Sequence, residues 1–342
     1  MKNKQKGLTL VELLISMTLG VIIASAATLL FITGQRSLAV QQGAADLQDN
    51  ANFGLNLITK DMRLLNLDNE TASIRSNTPL GGVVLTSSLN MENSDDATNP
   101  ELTSNLYKTI VGTTAAVKFL TQSEIGPSNV KASSDLKSDQ FTIQFMPEYI
   151  IEKRLGTDFY VGGFDCEGNE LAYPRRDDSR GKRMVVQRYF LREDSNKNAK
   201  EPNETLALAC DAGTYEPAKA DGTEPPTKVE NFGDNGQIIM KRVDYLHVLL
   251  GVDMGSNFRY MTINDYMAIT TKKPRIVSVQ LGILARSAQT VGRDANTIKD
   301  DQSFTVLDKV VSVKKVNDKN APKYIRQVVS QTVAMRNGLG DR

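Results

Sequence analysis

The side chains able to do chemistry are few. Glu12 is the one charge in an apolar run from Leu8 to about Thr33. A carboxylate in such a run is costly without a partner, so it marks a functional position. Gly7 sits where a basic head, Met1 to Lys6, meets that run. The chain has two cysteines, Cys166 and Cys210, and one histidine, His247. Both cysteines lie beyond the apolar run. In an exported chain they are expected to form a disulfide, the other reading being two buried free thiols. His247 stands inside Tyr245-Leu246-His247-Val248-Leu249, where a strand histidine is expected rather than a catalytic base. No Gly-x-Ser-x-Gly nucleophile elbow accompanies it. One histidine and two distant cysteines would need carboxylates to complete a zinc site, and no metal is expected. Walker-type phosphate loops are absent. Gly162-Gly163 lacks the strand–helix setting of a dinucleotide fingerprint. Asp95-Asp96 reads as a solvated loop tip. The expectation is a chain without cofactor and without catalytic residues.

The elements that position these residues begin with the run itself. Leu8 to Thr33 is 26 residues, about 39 Å as a helix, more than the roughly 30 Å hydrocarbon core of a bilayer. The pattern then turns amphipathic. Leu47, Ala51, Leu55, Ile58, Met62 and Leu65 fall at three- and four-residue steps, with Asp46, Asp49, Lys60, Asp61 and Arg63 off that line. That face should pack on a globular head, or else form a coiled-coil seam. No proline precedes Pro79, so nothing breaks the helix, although Gly20, Gly34, Gly43 and Gly54 are candidate soft points. With 342 residues, 40% hydrophobic and 24% charged, the rest has the composition of an ordinary globule. The formal charge is +1, which does not suggest a dedicated nucleic-acid binder. Lys314, Lys315, Lys319, Lys323 and Arg326 form a basic strip that reads as a solvated sheet edge before it reads as a DNA contact.

Three readings of the N-terminus compete. A secretory signal peptide would be cut at Ala24-Ser25-Ala26. A plain signal anchor would keep the whole run. A class III signal would be cut before the run and retain it. Glu12 does nothing for the first and Gly7 nothing for the second. Lys6-Gly7-Leu8-Thr9-Leu10-Val11-Glu12 resembles the type IV prepilin motif. That resemblance implies cleavage between Gly7 and Leu8 by a membrane aspartyl prepilin peptidase and N-methylation of the new Leu8 amine. It also implies that Glu12 pairs with the amine of a neighbouring subunit during assembly. Leu8 departs mildly from the phenylalanine common in the family at that place.

Downstream, residues 68 to 139 are polar and irregular, with short apolar runs at 82–85 and 115–120. From Asp139 the period becomes two. Strands are expected over 140–146, 183–191, 205–210, 275–284 and 327–335, with a longer, interrupted one from Ile238 to Val252. Asp211 to Asn235 reads as a long loop. A mostly antiparallel sheet follows.

The order of these parts is similar to a type IV pilin, and four stretches resemble the PilW family of minor pilins. They are 138–145, 243–253, 277–287 and Val333-Ala334-Met335-Arg336-Asn337. Where that family has a Gly-Tyr turn after the stem, this chain has Leu64-Leu65-Asn66-Leu67-Asp68. The J-type minor pseudopilin of type II secretion is the nearest relative in layout. The resemblance implies an α+β type IV pilin fold. Residues 1–7 would be the leader and 8–67 the N-terminal helix, with 8–33 in the membrane or fibre core and 34–67 amphipathic. Residues 68–342 would be the β-rich head. It implies a minor pilin in a tip or priming complex that supports pilus assembly, twitching motility, adhesion or DNA uptake, and not an enzyme. Expected partners are other minor pilins, the major pilin, the prepilin peptidase, the inner-membrane assembly platform and the bilayer, with DNA weakly supported. The chain would wait in the inner membrane, head in the periplasm, and end in the fibre. The other readings are a type II secretion pseudopilin and a periplasmic binding protein or enzyme with a cleaved signal.

Overall fold

A computed structural model of the chain describes residues 9–338 apart from 70, 77, 79, 86–108, 112–113, 117–118, 177–180, 198–200, 218–225, 228, 292–297, 299–301 and 316–320. Gly7, Leu8, Asp95-Asp96 and Lys319 lie outside the described residues.

One helix, α1 (Leu10–Leu64), runs through the stem without a break. Its first half is bare: the residues from Leu10 to Leu38 are exposed, and the run is long and apolar enough to cross a membrane. From Ser16 to Thr33 the hydroxyls are turned back on the helix. Ser16, Thr18, Ser25, Thr28 and Thr33 each donate to a carbonyl three or four residues earlier, at 2.7–2.9 Å. Such back-bonding satisfies a polar group where no water can. From Gly43 the helix meets the head. Leu47, Ala51, Leu55, Ile58, Met62 and Leu65, the face read from spacing, are all buried. Gly54 is no soft point. A Cβ there would lie 2.6 Å from Met240 Cε, so the glycine is what lets the helix come down on the sheet.

The head holds β1 (Thr109–Val111), β2 (Thr114–Ala116), β3 (Gln122–Gly126), β4 (Val130–Lys131), β5 (Ser138–Phe145), β6 (Ile150–Arg154), β7 (Thr157–Phe164) and β8 (Glu170–Pro174). These are followed by β9 (Met184–Glu193), β10 (Leu206–Tyr215), β11 (Gln237–Lys241), β12 (Val243–Asp253) and β13 (Phe258–Thr262). A short helix, α2 (Ile263–Met267), precedes β14 (Arg275–Arg286), β15 (Ser303–Val306), β16 (Lys309–Val313) and β17 (Arg326–Ala334). Two sheets make the body, in strand order β11-β10-β9-β5-β3 and β13-β12-β14-β17, with every pairing antiparallel. They share one core with α1, in which Leu47, Ile58 and Met62 join Phe141, Leu208, Leu250 and Ile283.

Three expectations are corrected. The stretch from Ile238 to Val252 is two strands in different sheets, divided at Arg242, whose φ of 58° turns the chain from one sheet to the other. The loop expected from Asp211 begins only after Tyr215. Asp211 lies within β10 because Arg188 on the paired strand β9 meets its carboxylate at 2.8 Å. The run at 82–85 is a single bridge, Val83 to Ile143, rather than a strand.

The helix is fastened to the head by amides. Asn50 donates to the Lys241 carbonyl (2.8 Å) and accepts from the Lys241 N–H (3.2 Å), closing the edge of β11. At the helix end, the Asn337 amide donates to the carbonyls of Arg63 and Leu65, at 3.3 and 3.1 Å, and Asn66 donates to the Asn337 carbonyl. The last carbonyls of a helix have no partner inside it. Here the C-terminal segment of the chain supplies one.

Candidate functional site

The stem's first turn is a capping box. Glu12 N–H donates to Thr9 Oγ1 at 3.3 Å, and Thr9 N–H donates to Glu12 Oε2 at 2.9 Å. The carboxylate expected to wait for a neighbour therefore already has a partner in its own chain. Thr9-x-x-Glu12 is the sequence signature of this arrangement, and it was legible in the chain. Glu12 stands at the positive end of the helix dipole, where a negative charge is favoured. The side chain projects from an exposed surface, so a second partner can reach it.

The head carries no comparable exposed constellation among the described residues. Its charged groups are mostly spent inside. Cys166 and Cys210 are joined, with Cα atoms 6.2 Å apart, and no free cysteine remains. The bond ties the turn after β7 to the buried middle of β10. Closing a loop of that length stabilises by about 4 kcal/mol on the loop-entropy account. It thereby holds the outlying sheet β6-β7-β8 to the body.

Beneath the basic strip lies a buried ion network. Arg286 Nη2 meets Glu201 at 2.7 Å, Arg242 meets Asp194 and Glu201 at 2.8 Å each, and Arg326 meets Asp244 at 2.7 Å. Lys314 leans on Asp135 at 3.4 Å and donates to the Ser128 carbonyl. Lys323 donates to the Ile298 carbonyl. Arg326, Lys314 and Lys323 are thus engaged within the head. The strip is less free for phosphates than its composition suggests.

His247 is the buried strand histidine expected, with an addition the sequence did not show. Its Nδ1 lies 2.7 Å from Asp139 and its Nε2 2.7 Å from Asp308. Two carboxylate partners ask both ring nitrogens to donate, which only the imidazolium can do. Burial works against that charge, but the bonds to Asp139 and Asp308 outweigh it, and the imidazole is held above its ordinary value. A ring bonded at both nitrogens has no lone pair left for a catalytic base. Since its value is raised over the unfolded 6.5, the stabilisation is full below that pH and is lost as pH rises through the folded value. As pH rises above about 6.5, the melting temperature of the full-length protein should fall more steeply than that of His247→Gln. Parallel slopes would contradict the imidazolium.

Glu167, Asp211 and Asp234 bring carboxylate oxygens within 4.8 Å of one another. Burial first, then the charges of Asp234, Asp211 and Asp165, push Glu167 up to about 7. Asp211 is committed to Arg188 and to the Gly233 N–H, at 3.0 Å, so the group is answered from within the protein.

Comparison with known proteins bears on both ends of the chain. Residues 188–337 match the family described as Type IV Pilus-assembly protein W, and residues 2–28 match the prokaryotic N-terminal methylation motif. No curated protein matches. Among solved structures, a type IV-like pilin from Thermus thermophilus is similar at 14% identity, over 64% of this chain and 87% of that one, with a TM-score of 0.25. The motif covers Gly7, Leu8, Glu12 and the exposed part of α1 as far as Thr28. The family match covers most of the two body sheets and ends at Asn337, which caps the stem helix. Together they support a structural, minor-pilin role in pilus assembly and a membrane-anchored chain that is processed by a prepilin peptidase. The chain is thus similar to the PilW family over residues 188–337 and carries the N-terminal methylation motif over residues 2–28.

Proposed function

We propose that this chain is a minor pilin of a pilus tip or priming complex, cut after Gly7, methylated on Leu8 and assembled through Glu12. The observation that carries this is the division of one unbroken helix. Residues Leu10 to Leu38 are exposed, with the apolar run reaching about Thr33, while the face from Gly43 onward is sealed to the head. An exposed stem of this kind has two suitable surroundings, a bilayer before assembly and a bundle of like stems afterwards. Each stem would then offer its Glu12 carboxylate to the cationic α-amine of a neighbour.

The head supports a terminal position. It is large, and it carries an outlying three-stranded sheet with exposed Ile150, Ile151 and Leu155, an arrangement suited to a place used once rather than repeated in a dense shaft. Other minor pilins, the major pilin and the assembly platform are its partners in this reading. Twitching, adhesion and DNA uptake are the functions such a complex serves. Labelled protein should appear at fibre ends. Even labelling along the shaft would count against the tip position. Deletion should abolish piliation and leave secretion intact, and the converse result would move the chain to a secretion pseudopilus. A periplasmic protein released after Ala26 would instead begin at Ala27, inside a helix that has no boundary there.

A further inference from the structure

The stem helix and the last strand run the same way. Gly43, where α1 meets the head, lies against Ile325 just before β17, and Asn337 just after β17 bonds the carbonyls at the end of α1. β17 is also an edge. Its sheet has the order β13-β12-β14-β17, and among the described residues no strand pairs with its far side.

A bare edge invites pairing, and proteins blunt it with short strands, charges, prolines or bulges. The other edges of the two body sheets are blunted. β11 is closed by Asn50, β3 is irregular in register, and β13 has five residues and carries Arg259. β17 uses none of these devices. It has nine residues, keeps its register with β14 throughout, and from Gln327 to Ala334 holds no charge and no proline. The bonds at its two ends show which groups point outward. Met335 N–H donates to the Val277 carbonyl at 2.9 Å, and Ser287 N–H to the Ile325 carbonyl at 2.8 Å. An antiparallel ladder alternates in twos, so Gln327, Val329, Gln331 and Val333 turn their backbone groups to β14. Those of Val328, Ser330, Thr332 and Ala334 point away, and among the described residues none of these four N–H groups has a partner. Beside them, Thr332 and Ala334 border a hollow of about 300 Å³ on the outer face, walled by Phe258, Tyr260 and Val277. Val277 reaches that face as the extra residue where the register of β14 with β12 shifts.

We infer that the β17 edge takes up an extended edge strand from the head of a different pilin subunit, antiparallel to β17 and with an apolar side chain beside the hollow. This rests on the pilin reading, which supplies a neighbour whose stem lies parallel to this one. Backbone bonds give such strand addition its affinity, and alternate side chains give it specificity. The direction follows from the fold. Two copies joined antiparallel through β17 would send their stems opposite ways, because the stem follows β17. A neighbour with a parallel stem and a like four-stranded antiparallel sheet has a second edge that runs against β17, as β13 does here. The β13 of a second copy has five residues against nine, so it would leave much of the edge bare.

Hydrogen exchange, read by mass spectrometry on the β17 peptide, tests this. In the purified full-length chain in detergent the four outward amides should exchange as exposed groups. In fibres they should slow at least about tenfold. Ser330→Pro removes one outward N–H and spares the ladder to β14, a position where a strand tolerates proline. Its unfolding midpoint in detergent should stay near that of the native chain, while its recovery in fibres falls at least about tenfold. Ser330→Ala, which keeps the N–H, should assemble as the native chain does. If the proline unfolds the head, the exchange comparison still decides. Unchanged exchange on assembly, or native recovery of a folded Ser330→Pro chain, would overturn the proposal and leave the pilin reading standing. A dimer of the purified chain that already protects these amides would name a second copy and overturn the assignment to a different subunit. A native chain missing from fibres would overturn both the proposal and the pilin reading.

Discussion

Arg286→Ala is expected to destabilise the head by about 3–5 kcal/mol, the usual consequence of removing one member of a buried ion network. The side chain is fully buried, bonds Glu201 and the Glu204 carbonyl, and lies over the Tyr324 ring with its guanidinium 5.1 Å from the centroid. Burial draws its ionisation down, while Asp244 and Glu201 hold it up. Alanine leaves a cavity and takes from Glu201 one of its two arginines. It also loosens a junction between three separate parts of the chain. Glu201 precedes β10, Arg286 ends β14, and Tyr324 precedes β17. Chemical unfolding of the full-length protein in detergent measures this. A loss under about 1 kcal/mol would show that the network is close to break-even, as some buried ion networks are.

Glu12→Gln should leave cleavage intact and reduce incorporation into fibres at least about tenfold, by the logic of a broken buried pair. Glutamine is the informative replacement. It can still accept from the Thr9 N–H and so keeps the capping box, whereas Glu12→Ala removes cap and charge together. If Thr9→Ala, which spares the charge, assembles nearly as well as the native chain while Glu12→Gln does not, the charge and not the cap is what assembly uses. Equal assembly of Glu12→Gln and the native chain would show that no neighbouring amine depends on this carboxylate.

Local pattern carried the stem. The three- and four-residue spacing from Leu47 to Leu65 names the face that the head buries, because a helix sorts its side chains by rotation alone. Seven of the nine strands of the two body sheets were legible as β-rich runs bounded by turn residues, while β3 and β13 were not. What was hidden depends on partners far along the chain. Asp139 and Asp308 meet at His247 from opposite ends of the head, and no local rule brings them together. Asp211 reads as a turn residue until Arg188 neutralises it. Arg242 takes a left-handed conformation without the glycine or asparagine that would announce it. The sheet β6-β7-β8 escaped because much of β6 is exposed on both faces, which erases alternation. At the N-terminus the motif was plain, yet Thr9 was passed over, although its place three residues before Glu12 is a helix-start signal in its own right.

In the proposed reading, the exposed stem is a processed pilin stem. Mass spectrometry of the mature protein's N-terminal peptide tests it most directly. Cleavage after Gly7, with a methylated Leu8 as the first residue, is the result predicted. A mature chain that begins at Ala27 would contradict it.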